Sequence, residues 1–277
     1  MPPKSKRLPK NFRETLQEAI KYFSGVGYKS EDDVSRWMGV LRAAGERSLG
    51  NDLTLRENVR ASLNALYARH VRPEALVKRI PSVSRFTLER IKPELHAELD
   101  RRILASVDLI KLRKTDAVQK SLARFQGWST SIPPGGSQAT DVRQVADDVG
   151  KSIAQIKYEW RRVTIDQGAK MLANIQEIVA IQSEAIGGVW HDVGEHFGGY
   201  DARKEHLRRT GKFFLMRDSW AIRDGFVKRG TAQFMDEIER PAELPYCQCY
   251  YVYTNLLADV PDGCLTEKGR RAIGPKG

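Results

Sequence analysis

From residue 140 to residue 186 the chain runs without a proline and with two isolated glycines, Gly150 and Gly168. Its apolar positions recur at helical spacing throughout, which commits this stretch to one long helix or to two joined near Gly168. A helix of that length must lie along another element or another subunit to cover its apolar stripe. The same periodicity governs the residues before it. Phe12, Leu16, Ile20 and Phe23 form one stripe, and Gly25 and Gly27 break it. Ser30 followed by Glu31, Asp32 and Asp33 is a capping signal, and it predicts a helix carrying Val34, Trp37, Met38 and Leu41 inward. Asn51 or Thr54 starts a third helix with Val59, Leu63 and Leu66, which Arg72-Pro73 interrupts.

A further helical stretch begins near Ser84, with Pro93 read as the first-turn proline of a new helix that continues through Leu95, Leu99, Ile103, Val107 and Ile110. Ser129 to Gln138, with its Pro-Pro-Gly-Gly, is the clearest loop. After Gly187-Gly188 the pattern changes. Glycines and aromatics cluster, and Gly211–Leu215 and Cys249–Tyr253 read as strands. The expected fold class is mainly α with a small α+β C-terminal domain. The expected segments are 1–80 (a basic tail and helical bundle), 81–186 (a helical region with the long helix) and 187–277 (the small α+β domain).

Charge narrows the partners. The 277 residues carry 46 Lys and Arg against 35 Asp and Glu, a net charge of +11, which favours polyanions or acidic protein surfaces. The excess is spread out. The first ten residues hold four cations and no acid, residues 101–130 hold seven against two, and 201–230 hold nine against four. Such density suits nonspecific contact with phosphates more than the reading of a base sequence. Lys4, Lys6, Arg7 and Lys10 of the tail, with Lys111, Arg113 and Lys114, are the expected contacts to double-stranded DNA. No apolar window is long enough for a membrane span. Three cysteines do not make a disulfide-stapled scaffold.

Catalytic motifs are missing: there is no Gly-x-Ser-x-Gly, no Walker-type loop and no His-Glu-x-x-His. His191 and His196 are one residue out of helical register for a shared ligand face. Asp141, Asp147 and Asp148 read as charges on a solvated helix face. Phe213-Phe214 and Tyr250-Tyr251 could stack bases, or place one ring of each pair in a core. No enzyme is expected. Chemistry-bearing residues do gather in the last ninety positions. His206, Cys247 and Cys249 are soft ligands suited to zinc, with Asp218, His191, His196 or Cys264 as a fourth. The competing reading is a strand with two small buried thiols beside a hydrogen-bonded histidine, since alternate residues of a strand leave little room for tetrahedral bite. No cofactor is assured, and zinc is the one the residues would suit.

The same stretch resembles a known family. Trp190-His191, then Asp201-x-Arg203-x-x-His206, Gly211-Lys-x-Phe213, and Pro241-x-Glu243-x-x-x-Cys247-x-Cys249 stand in the order found in the C-terminal domain of Mu F-like phage head morphogenesis proteins, also called minor head proteins. The likeness covers about residues 187–255. Gln248 stands where the family commonly has arginine, and Lys204-Glu205 where it has Pro-Ser. The resemblance implies a short-stranded Mu F-like module behind a helical region, in a structural minor head (capsid) protein of a tailed bacteriophage. Such a protein acts in head morphogenesis near the portal. Its implied partners are portal and capsid proteins and packaged DNA, with several copies per particle. Its implied place is the virion, at the capsid interior or portal vertex, after assembly in the host cytoplasm. Two alternatives stand beside it. One is a metal-dependent nuclease built on His206, Asp218 and the cysteines; the other is a nonspecific DNA-binding protein.

Overall fold

The computed structural model describes residues 10–193 and 204–274. Nine α-helices and a four-stranded sheet are found among the described residues, with the sheet confined to the C-terminal part. The fold is mainly α with a small α+β C-terminal region. No described helix is long and apolar enough to cross a membrane.

By contacts the chain forms two compact units, and neither is a continuous stretch: residues 1–59 with 106–163, and residues 60–105 with 164–277. The first unit opens with α1 (Lys10–Val26) and α2 (Glu31–Ser48). The stripe expected on α1 is buried in full, with Phe12, Leu16, Ile20 and Phe23 at 1% exposure or less. Each such side chain contributes about 1.5–3 kcal/mol by leaving water. Ser30 caps α2 as its sequence foretells, its Oγ accepting the Asp33 N–H at 3.2 Å. Phe23 meets Phe125 and Trp128 edge-on, at 5.7 and 6.5 Å between ring centres. Val118, Leu122, Ile153 and Ile156 close the same core.

The third helix, α3 (Asp52–His70), starts with the Asn51 side chain accepting the Leu53 N–H at 2.8 Å. A short α4 (Pro73–Leu76) follows the Arg72-Pro73 break. Two long helices come next, α5 (Arg85–Ser129) and α6 (Val142–Gln182). The first corrects the sequence expectation, and the second takes the one-helix form of the two expected. Pro93 lies inside α5 and starts no new helix. It forfeits one backbone bond, at a cost of about 3 kcal/mol, yet Leu88, Ile91, Leu95, Leu99 and Ile103 form one buried line through it. Continuous burial on both sides of the proline holds the helix together. Likewise α6 passes through Gly168 unbroken. A Cβ there would stand 2.8 Å from Leu66 Cδ1, so the glycine admits a close approach of α3.

In the second unit the buried Glu98 carboxylate accepts Arg101 Nε at 2.7 Å, Arg102 Nε at 2.8 Å and Asn174 Nδ2 at 3.1 Å, which ties α5 to α6. The sheet has the order β3-β2-β1-β4, from β1 (Gly187–His191), β2 (Phe213–Leu215), β3 (Gln233–Phe234) and β4 (Tyr250–Thr254). Strand β1 is central and antiparallel to both neighbours, while β2 and β3 run parallel. Short helices α7 (Lys204–Arg209), α8 (Trp220–Arg223) and α9 (Glu267–Ile273) complete the region. Ile186, Leu215, Val227, Val260 and Leu265 pack beneath it.

Candidate metal centre

Trp190, at the middle of the sheet, organises the surroundings of the site. It is fully buried, and its indole meets the His206 imidazole edge-on at 5.2 Å and the Tyr251 ring at 5.4 Å. The backbone holds the same neighbourhood. Trp190 N–H donates to Lys212 O at 3.0 Å, and Gly211 N–H donates to Trp190 O at 2.8 Å. These bonds fix the end of α7, and with it His206. The Arg209 guanidinium on the last turn of α7 lies 5.3 Å from the Trp190 ring centre and pairs with Glu239 at 2.7 Å.

The second arm is the loop before β4. Pro241 is buried, and the Glu243 carboxylate turns back to accept the Arg240 N–H at 2.7 Å. Ala242 and Tyr246 both adopt left-handed backbone, with φ of 62° and 63°. The Asp166 carboxylate on α6 accepts the Tyr246 N–H at 2.6 Å and so anchors that turn. Cys247 and Cys249 therefore sit in irregular backbone and not on a strand, because β4 begins at Tyr250. The strand geometry that would have left no room for two thiolate ligands does not apply.

His206, Cys247 and Cys249 are all buried, and their ligand atoms lie within 4.8 Å of one another. His206 Nδ1 stands 3.4 Å from Cys247 Sγ and 3.6 Å from Cys249 Sγ. Zn–S bonds of about 2.3 Å and Zn–N bonds of about 2.05 Å place the corners of a tetrahedron about 3.5 Å apart, so both spacings suit one zinc ion. Cys249 Sγ also donates to Asp192 Oδ1 at 3.6 Å, the separation expected for a sulfur and a carboxylate oxygen on the same ion. Asp192 lies outside the set of atoms that are all within 4.8 Å of one another, on the Cys249 side of the cluster. The two thiols are unequal. A hydrogen bond from the Cys249 thiol, joined by the backbone N–H groups of Cys249 and Ala242, draws the Cys247 thiol below its ordinary range. The reverse interaction, with burial, pushes Cys249 up.

The other residues singled out in the sequence fall elsewhere. Asp218 lines an open cleft with Arg217, Trp220 and Arg223. His191 stacks on Tyr250 at 5.3 Å between ring centres, and Cys264 donates to Arg229 O at 3.3 Å in the core. His196, Asp201 and Arg203 lie outside the described residues, as do Lys4, Lys6 and Arg7; Lys10 opens α1. Lys111 and Lys114 have an internal partner in Asp52, at 3.3 and 3.5 Å, and Lys114 also donates to Gly50 O at 2.6 Å. Arg113 is exposed. Asp141 caps α6, accepting the Arg143 N–H at 2.9 Å, and Asp147 pairs with Arg13 at 2.7 Å. Phe214 and Tyr251 are interior rings, at 1% and 3% exposure.

Two carboxylates that matter here escaped the sequence reading. Asp192 directly follows the Trp-His pair and had a local signal in its position. Asp166 sits on a helix eighty residues before its partner, and no spacing rule reveals it. No protein-family model, curated protein or solved structure matches this chain.

Proposed function

We propose that this chain is a non-enzymatic structural protein of a tailed-phage head, a minor head protein that works in head morphogenesis beside the portal and contacts DNA. One observation carries the reading. Trp190, His206, Cys247 and Cys249, four of the residues that bear the Mu F-like resemblance, come from β1, α7 and the loop before β4 and pack into a single buried cluster, with Gly211 bonded to its edge through the Trp190 carbonyl. In this reading His206, Cys247 and Cys249 hold a structural zinc ion, with the fourth position on the side of Asp192. The ion supplies cross-linking between α7 and the loop before β4, where short strands alone bury little surface. Burial of all three ligands and an anchored loop suit a closed structural site better than a catalytic one, which keeps a position open to substrate. Asp218, which the nuclease alternative needs at the metal, lies in the cleft beside Trp220.

The test is retention of portal and capsid proteins by the purified chain at low and high salt, with zinc measured on the same sample. Salt-resistant capture of portal or capsid protein, with about one zinc per chain, is expected. Binding to DNA alone, lost at high salt, would overturn the head-protein reading. Capture without stoichiometric zinc would overturn only the metal assignment.

A further inference from the structure

Between Arg69 and Arg79 the chain leaves α3 and passes through α4, and it carries four Lys and Arg against one acid, Glu74. Glu74 is itself engaged, at 3.9 Å, with a further cation, Arg85. Arg69, His70, Arg72 and Lys78 are exposed, and Arg79 is half-buried. Among the described residues none of Arg69, Arg72, Lys78 and Arg79 enters an ion pair. Four such cations within eleven residues set the corner apart from the paired cations elsewhere in the molecule. Asp52 already neutralises Lys111 and Lys114, Arg217 is forked onto Asp236 at 2.7 and 3.0 Å, and Arg240 is held by Glu177.

The cations of the corner are also held in place. Arg72 Nε donates to Arg69 O at 3.1 Å. The Arg79 guanidinium carbon stands 3.1 Å from the centre of the Tyr250 ring, and its carbonyl accepts the Tyr253 N–H at 2.7 Å. Strand β4 therefore fixes the arginine at both its backbone and its side chain. The charges converge on His70, whose imidazole is kept below the ordinary histidine range by burial first and then by Arg69, Arg72 and Arg79. Three guanidinium groups thus act on one point with no carboxylate among them.

We infer that the corner formed by Arg69, Arg72, Lys78 and Arg79 is a contact surface for the phosphate backbone of nucleic acid. Unpaired guanidinium groups present a rigid fork that matches phosphate oxygens, and crowding like charges together is relieved when a polyanion displaces their counterions. A duplex backbone supplies regularly spaced phosphates to several of these cations at once, whereas an acidic protein surface would have to match their positions individually. Phosphate contacts carry no base information, so the contact is independent of sequence. The inference rests on the DNA-contact part of the function proposed above and is independent of the metal centre.

The experiment compares the unmodified chain with a Arg69→Ala, Arg72→Ala, Lys78→Ala triple variant, using a random-sequence DNA duplex and anisotropy at several salt concentrations. All three side chains are exposed, and an unchanged melting temperature checks the fold. The expected result is a log–log salt slope shallower by about 2 to 3, since each lost phosphate contact removes about 0.9. A Lys111→Ala, Lys114→Ala control is expected to change the slope by less than about 1, because those lysines are already paired. An unchanged slope in the triple variant would overturn the assignment of this surface. Equal competition by polyglutamate and by DNA at matched charge would overturn the choice of nucleic acid. No DNA binding by the unmodified chain would remove the parent reading as well.

Discussion

The Asp166 carboxylate accepts the backbone N–H of Tyr246 at 2.6 Å across eighty residues of sequence. The same carboxylate pairs with Lys170 at 2.9 Å and accepts from Gln167 at 3.2 Å. It is therefore a buried charge on α6 that fixes the turn presenting Cys247. Asp166→Ala should cost about 3 kcal/mol in urea unfolding, the usual penalty for removing one partner of a buried pair. Asp166→Asn keeps an acceptor and should cost less. A loss under about 1 kcal/mol in the alanine variant would show that the turn holds itself.

Asp192 offers a sharper test of the centre. If it completes the zinc site, directly or through a hydrogen bond to Cys249, Asp192→Ala should weaken zinc binding by about 10- to 100-fold. Competition against a chromophoric chelator reads this without any activity assay. Equal affinities would place the fourth ligand elsewhere.

Two glycines of the first unit should respond in opposite directions to the same substitution. Gly136 has a φ of 87°, and a Cβ there would stand 2.2 Å from the Ser24 carbonyl. Gly39 lies exposed inside α2 with open space around it. Gly39→Ala should raise stability by about 0.5–1 kcal/mol through helix propensity. Gly136→Ala should lower it by more than about 1 kcal/mol, because both backbone conformation and contact oppose the new methyl group. Thermal melts of the two variants decide the matter, and a shared sign would contradict the packing described here.

Alkaline pH should loosen the sheet. Burial raises the Tyr253 phenol well above its ordinary pKa, and burial also raises Tyr251. In the unfolded chain both ionise near pH 10. Above that pH the unfolded state binds fewer protons than the folded one, so stability falls as pH rises; below it the contribution is intact. Urea unfolding at pH 8 and pH 10.5 should show the decline, and Tyr253→Phe should reduce it. A flat profile would mean the phenols reach water.

The parts of the fold written in local pattern were legible. The α1 stripe and the Ser30 cap appear in the structure at the residues that announce them. Pro93 misled, because a breaker residue imposes a fixed cost of about 3 kcal/mol that a long buried seam can exceed. The ligand trio was visible from residue type, but its competing reading turned on a strand that begins one residue too late to include Cys249. Left-handed backbone at Tyr246 and the carboxylate that holds it leave no trace in spacing. The charge clusters were countable, yet counting singled out Lys111 and Lys114 and passed over Arg69 and Arg72. Only the position of Asp52 separates them.

Helices α5 and α6 each supply residues to both compact units, which divide at residues 105–106 and 163–164. A ribosome cannot finish either unit from a continuous run of chain. The first must wait for the residues up to 163, and the part of the second that emerges early must wait longer, until the sheet is made. Cutting the gene at the visible change in composition near residue 187 would thus isolate a sheet without the helices of its own unit, and would leave those helices with their apolar sides bare.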